Sequence, residues 1–296
     1  MEYKFDGKTD YFVISDLHGQ GKIFDCIFNH FDKEALRLKQ SGKRIVIVIN
    51  GDIIDRGNDS IRMLVDVMDR VKKRKGNLEV VMLPGNHEEM MLSALEYYIK
   101  NGHHDNSRKA TVNNVWFAPE NYGVDTFEQF YTLTPDRQAE VIEFLRSLPL
   151  FFRVKSDVPG NNSYCVVHAL PPRDAMGATR IPTLGQIVSD PGCIRLRYCL
   201  TYRKEPQGPN ISLPDKNVIK IIGHTPVESP HGFSIEENKK LLMIDGGCAY
   251  MAQNPNSLIL QEMGTLVNLS DVPGKTRALL YGDENTKYLR EGRKVK

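Results

Sequence analysis

The chain has no long apolar run. Its longest purely aliphatic stretch is Ile45 to Ile49, whereas a membrane-spanning helix needs about 20 apolar residues. It has no charge imbalance either: 39 Lys and Arg face 37 Asp and Glu, a formal net charge of +2. Overall electrostatics therefore call for no nucleic acid and no membrane as partner. Cysteine is scarce and irregular. Cys26, Cys165, Cys193, Cys199 and Cys248 are odd in number and never spaced C-x-x-C, which argues against a disulfide framework or a thiolate zinc site and suits free thiols in a reducing compartment. The opening MEYKFDGKTD carries no apolar segment of the secretory kind, so the expected location is cytoplasmic. Two familiar motifs are missing as well. Gly274-Lys275-Thr276 lacks the upstream glycine of a phosphate-binding loop, and His87-Glu88 lacks the second histidine of a zincin helix.

What is present is a globular composition, 41% hydrophobic and 26% charged over 296 residues, enough for one large domain or two modest ones. The first third alternates strands and helices. Strand signals at Tyr11–Ser15, Ile45–Ile49 and Leu78–Leu83 are separated by helical periodicity over Ile23–Leu38 and Ser60–Lys73, and a third helix follows over His87–Ile99. This order predicts parallel βαβ units. Residues 101–123, polar and rich in Gly and Asn with a lone Trp116, read as a loop insertion. Thr134-Pro135 caps a helix that Pro149 stops. Strands are then expected at Leu150–Val154, Tyr164–Val167, Val218–Ile222, Leu241–Ile244 and Leu258–Gln261, with 171–215 as a long connection. No linker divides the chain. One domain is expected over residues 1–296, with a core at about 10–262 and a C-terminal extension at 263–296, whose last two dozen residues read as a loosely packed tail.

The chemistry gathers where strands end. YFVIS runs into Asp16-Leu17-His18-Gly19, and IVIVIN into Gly51-Asp52-Ile53-Ile54-Asp55-Arg56-Gly57. EVVMLP leads to Gly85-Asn86-His87-Glu88, YCVV to His168, and VIKIIG to His224-Thr225-Pro226. Taken singly, Asp16 and His18 read as turn residues, and Asp52 and Asp55 as a turn and a helix N-cap. Together they are a different matter. Loops beyond the carboxyl ends of such strands converge on one crevice, and five that deliver Asp, Asn or His to one rim make a metal centre. The donors are oxygen and imidazole without thiolate, which favours Mn²⁺ or Fe over structural zinc. His30, His103, His104 and His231 lie outside any motif and read as surface or satisfied residues, and the KKRK run at 72–75 as a solvated helix end.

The set SDLHG, GDIIDRG, GNHE, a strand-end His and GHTP resembles the phosphoprotein phosphatase family of calcineurin-like metallophosphoesterases, with bacterial and phage protein serine/threonine phosphatases as the nearest form. The motifs span residues 16–226. The resemblance implies an α/β fold of two mixed β-sheets packed face to face as a sandwich with flanking helices. It implies two divalent metal ions, Mn²⁺ first with Fe or Zn as alternatives. Asp16, His18 and Asp52 would hold the first, and Asp52 would bridge to a second completed by Asn86, His168 and His224. By the same resemblance an activated water attacks phosphorus in line without a phosphoenzyme. Arg56 would bind phosphate, His87 would act as general acid, and Asp55 would orient its imidazole. A second phosphate-binding arginine is placed at Arg203, with Arg195 and Arg197 as competitors.

The substrate implied is a phosphorylated protein or peptide. A symmetrical diadenosine tetraphosphate hydrolase is the alternative, because FLRSLPLFF and IRLRYC resemble that branch; Glu88 in GNHE, where that branch usually has Asp, speaks against it. A non-catalytic phosphate-binding module on the same fold is the third possibility, disfavoured because every ligand, Arg56 and His87 are present.

Overall fold

The computed structural model describes residues 2–73, 76–101, 115–157, 163–170, 181–201, 218–227, 234–236, 241–248, 264–268, 277–281 and 287–291. Strands β1 (Glu2–Lys4) and β2 (Thr9–Ile14) precede helix α1 (Gly21–Leu38). Then come β3 (Arg44–Asn50), α2 (Ser60–Lys73), β4 (Leu78–Leu83) and α3 (Asn86–Asn101). Two short helices, α4 (Gly123–Tyr131) and α5 (Pro135–Ser147), lead to β5 (Phe152–Lys155) and β6 (Ser163–Val166). The rest comprises α6 (Leu184–Ser189), α7 (Tyr198–Thr201), β7 (Val218–Ile222), β8 (Ser234–Glu236), β9 (Leu241–Met243), β10 (Gly264–Asn268), β11 (Arg277–Tyr281) and β12 (Lys287–Glu291).

These strands form two six-stranded sheets, ordered β12-β11-β10-β2-β3-β4 and β1-β5-β6-β7-β9-β8. Both mix parallel and antiparallel pairs: β2, β3 and β4 run parallel, while β10 meets β2 antiparallel. β3 shows why its sequence is apolar without alternation. Its Ile45, Ile47 and Ile49 belong to the cluster shared with α1, α2 and α3, while Val46 and Val48 belong to a second cluster with Phe152, Val166 and Ile221 of the other sheet. A strand buried on both faces has no polar side to show. The result is a sandwich with helices outside, the α/β architecture that the motifs imply.

Some elements depart from expectation. Trp116 lies in a 3-10 turn (Val115–Phe117) rather than a loose insertion, with a second 3-10 turn at Pro119–Asn121. The connection 171–215 contains helix α6, started by a capping box in which Thr183 Oγ1 accepts the N–H of Gln186 and the Gln186 side chain accepts that of Thr183. Leu150 stands just before its strand and donates its N–H to the Pro182 carbonyl. In place of a loose tail, β11 and β12 extend the first sheet beyond β10. The strand expected at Leu258–Gln261 lies outside the described residues.

Candidate metal centre and its proton donor

Each motif sits at the carboxyl end of its strand, and in three of the five the backbone is forced. Asp16, His18, Asp52, Asp55, Arg56 and His224 all have positive φ, between 44° and 68°; among the described residues only Tyr122 shares this feature without being a glycine. Left-handed backbone costs a side-chain-bearing residue on the order of 1–3 kcal/mol, and it persists where the surroundings over-determine it. The neighbouring glycines allow the loops to touch. A Cβ on Gly85 would lie 2.1 Å from Asp52 Oδ1, and one on Gly51 would lie 2.4 Å from the Gly85 nitrogen.

Asp52 stands at the middle. Its Oδ2 lies 3.4 Å from His168 Nε2, 3.6 Å from His18 Nε2 and 4.0 Å from His87 Nε2. Its Oδ1 accepts the backbone N–H of His87 at 3.0 Å. Two rings are held from behind: His18 Nδ1 donates to the Ile54 carbonyl at 3.0 Å, and His168 Nδ1 to the Asn50 carbonyl at 2.8 Å. These bonds leave both Nε2 atoms turned toward the centre, the usual outer support of a ligating histidine. His168 Nε2 meets Asn86 Oδ1 at 3.3 Å. Asp16 accepts the His224 N–H at 3.0 and 3.1 Å and also accepts from the Ser15 hydroxyl. Glu88, fully buried, accepts the N–H groups of Gly85, Asp52 and Ile53 at 2.7–3.0 Å, locking the second motif to the third.

Charge in this site is unevenly shared. Burial alone would raise Asp52, but the imidazoles of His168 and His87 outweigh it and hold the carboxyl well below its ordinary range. Burial opposes the charged form of His168, yet Asp52 and Asp16 lift it to about 10. Asp16 moves the other way, well up, because it is buried with Asp245 and Asp52 nearby. Burial and the adjacent His87 hold His18 well below its ordinary value, in the neutral form that ligates metals. Asp245 is itself pushed up to about 6 by burial and by Asp52. Crowded buried carboxylates that draw a proton onto His168 mark a place where positive charge is wanted.

His87 points at the same cluster from the start of α3. Its Nδ1 donates to Asp55 Oδ2 at 2.6 Å, and the same oxygen accepts Trp116 Nε1–H at 2.8 Å. Burial would discharge His87, but Asp52 and Asp55 overcome it and raise its pKa. Arg56 reaches over the rim, its Nη1 donating to His18 Nε2 at 3.2 Å.

A profile of the calcineurin-like phosphoesterases matches residues 11–251. The chain belongs to that family. Among solved structures, the fold is similar to a cold-active protein tyrosine phosphatase of the psychrophile Shewanella sp. (16% identity, 97% of this chain and 81% of that one, TM-score 0.55). It is also similar to a protein serine/threonine phosphatase of Saccharomyces cerevisiae with similarity to human phosphatase PP5 (17% identity, 100% and 84%, TM-score 0.54). Comparison with curated proteins gives no significant match.

As a calcineurin-like phosphoesterase the chain is an enzyme of a metal-dependent family, and its residues fit divalent ions. Two sets of donor atoms lie within 4.8 Å of one another: His18, Asp52 and His87, and Asp52, His168 and His224. Asp52 is common to both sets. Of the other expected ligands, Asn86 joins through His168, while Asp16 falls outside both tight sets, its carboxylate engaged by Ser15 and the His224 N–H. In the phosphoesterase Asp55 lies against His87, and Arg56, expected at the phosphate, lies against His18. Arg203 lies outside the described residues, as does the Arg195 side chain; Arg197 is described and lies 3.5 Å from Glu89. Sequence reasoning missed two buried groups at this site. Asp245 follows an unremarkable β9, and Trp116 falls within the segment that the sequence marks as an insertion. A lone tryptophan just downstream of the GNHE helix was the available signal.

Proposed function

We propose that this phosphoesterase hydrolyses phosphomonoesters of serine and threonine in proteins. Asp16, His18 and Asp52 would hold one divalent ion, and Asp52, Asn86, His168 and His224 a second, with Mn²⁺ suited to the mixed oxygen and imidazole donors. When bound, such ions neutralise phosphate charge and bring the pKa of water toward neutrality. Arg56 offers its planar fork to non-bridging phosphate oxygens and orients the ester for in-line attack by water. His87 gives its Nε2 proton to the departing oxygen while Nδ1–H stays bonded to Asp55, which fixes the tautomer.

The observation that carries the substrate class is the His87–Asp55 contact at 2.6 Å, beside the Asp52 cluster. A serine or threonine alkoxide leaves badly without a proton, so an oriented donor matters most for that ester. A nucleoside diphosphate leaves as a stable anion and needs it far less. The intact GDIIDRG and GNHE motifs support the same reading, and one fold neighbour is a protein serine/threonine phosphatase. The test is a panel at equal Mn²⁺ loading: phosphoserine, phosphothreonine and phosphotyrosine peptides and diadenosine tetraphosphate. The expected order puts the phosphoserine and phosphothreonine peptides highest in kcat/KM. A preference for diadenosine tetraphosphate would move the chain to the dinucleoside-polyphosphate hydrolases. A preference for phosphotyrosine would refute the alkoxide argument.

A further inference from the structure

Trp116 is fully buried, and a buried indole N–H needs an acceptor. Backbone carbonyls are the plentiful choice in a protein core. This indole instead donates to Asp55 Oδ2 at 2.8 Å, across 61 residues of sequence, and shares that one oxygen with His87 Nδ1. The other carboxylate oxygen, Asp55 Oδ1, is buried with no hydrogen-bond partner among the described residues. With Trp116 in place only one of the two oxygens is pinned, and it is the one that faces the histidine. Without it, the carboxylate is free to turn about its Cβ–Cγ bond and present either oxygen to His87.

The indole is well placed to act as a fixed point. Its ring packs against Phe117 (centroids 5.2 Å apart) and Phe127 (6.1 Å). The Asn121 amide donates to the Val115 carbonyl at 2.7 Å, closing the turn that carries it. Gly123 is pressed so closely that a Cβ there would lie 2.2 Å from the Trp116 carbonyl oxygen. Asp55 is tied from the other side, its N–H donating to Ser60 Oγ at 2.9 Å at the start of α2. Backbone and side chain of Asp55 are thus anchored by different elements.

We propose that Trp116 is a positioning residue for proton delivery: by fixing Asp55 Oδ2 it fixes the direction in which His87 Nε2 points. The inference rests on the reading of His87 as proton donor. Trp116 acts through Asp55 and touches no substrate. Its contribution therefore belongs to kcat on esters with poor leaving groups, with little effect on KM.

Two measurements test it. Trp116 is the single tryptophan of the chain, so ¹⁵N-labelled protein gives one indole N–H resonance, assigned without ambiguity. It is expected downfield, and Asp55→Asn should move it upfield; a resonance that Asp55→Asn leaves in place overturns the contact. In kinetics, Trp116→Phe keeps an aromatic ring and removes the donor. We expect about a tenfold loss of kcat on a phosphoserine peptide, about two- to threefold on p-nitrophenyl phosphate, and little change in KM. Added to Asp55→Asn it should cost little more, because the two act as a unit. Equal losses on both substrates would reduce Trp116 to packing and overturn the proposal. The two readings fail separately. If His87→Asn distinguishes the substrates and Trp116→Phe does not, positioning by Trp116 is wrong. If His87→Asn does not distinguish them, the proton-donor reading is wrong, and the indole resonance still decides whether Trp116 fixes Asp55. Should Trp116→Phe fail to fold, the Asp55→Asn spectrum alone decides the contact.

Discussion

Proton delivery and charge stabilisation at a phosphoester can be told apart residue by residue through the choice of leaving group. His87→Asn removes the proposed proton donor and should slow phosphoserine hydrolysis by about 10²–10⁴-fold, with a much smaller loss on p-nitrophenyl phosphate, whose phenolate leaves unprotonated. Arg56→Ala should slow both alike, since the phosphate contact proposed for it does not depend on what departs. Parallel kcat/KM series on the two substrates check this, and equal losses for His87→Asn would send the search for the acid elsewhere. These residues were legible in sequence because each lies within six positions of the end of an apolar strand. Asp52, Asp55 and His87 need only the sheet to bring them together. Trp116 and Asp245 were not legible. Each reaches the site from a segment with no motif, and what makes them relevant is a contact across the fold, 2.8 Å from Asp55 for the indole and burial against Asp16 and Asp52 for the carboxyl.

Between elements, the close approach of the β3 and β4 loops decides whether Asp52 sits correctly. Gly85→Ala would place a methyl 2.1 Å from Asp52 Oδ1, forcing the carboxylate or the loop aside. A shift of about 1 Å at such a site is worth about 10²-fold in rate, so metal retention and turnover should both fall. Gly42→Ala is the control. Gly42 also has positive φ, 67°, but its Cβ would meet nothing within 4 Å, so the cost is about 1–2 kcal/mol of strain with activity preserved. Thermal melts, metal analysis and turnover on the two variants make the comparison; Gly85→Ala with full metal and full activity would mean the loops have slack. Elements with strong periodicity were read closely from sequence, α2 and β4 to the residue. What escaped was short or polar. The capping box of α6 drives a helix of only 6 residues, below the length at which periodicity shows. β11 and β12 are short strands added beyond β10, and RALLY and KYLRE carry no long apolar run to announce them.

At the scale of the molecule, the two sheets formed by the described strands set the loops of β2, β3, β4, β6 and β7 against one another, so that the Asp52 carboxylate lies between histidines from both. Asp52 belongs to the first sheet and His168 and His224 follow strands of the second. The proposed metal pair would therefore draw its ligands from both sheets. Among the described residues no helix is long and apolar enough to cross a membrane. The central claim is that Asp52 bridges two divalent ions on which phosphoester hydrolysis depends. It is tested most directly by metal stoichiometry and phosphoserine-peptide turnover of Asp52→Asn beside the unaltered chain, both loaded with Mn²⁺. Losing the bridging charge should take metal content well below two per chain and collapse turnover. Two ions per chain with near-native turnover in Asp52→Asn would contradict the account.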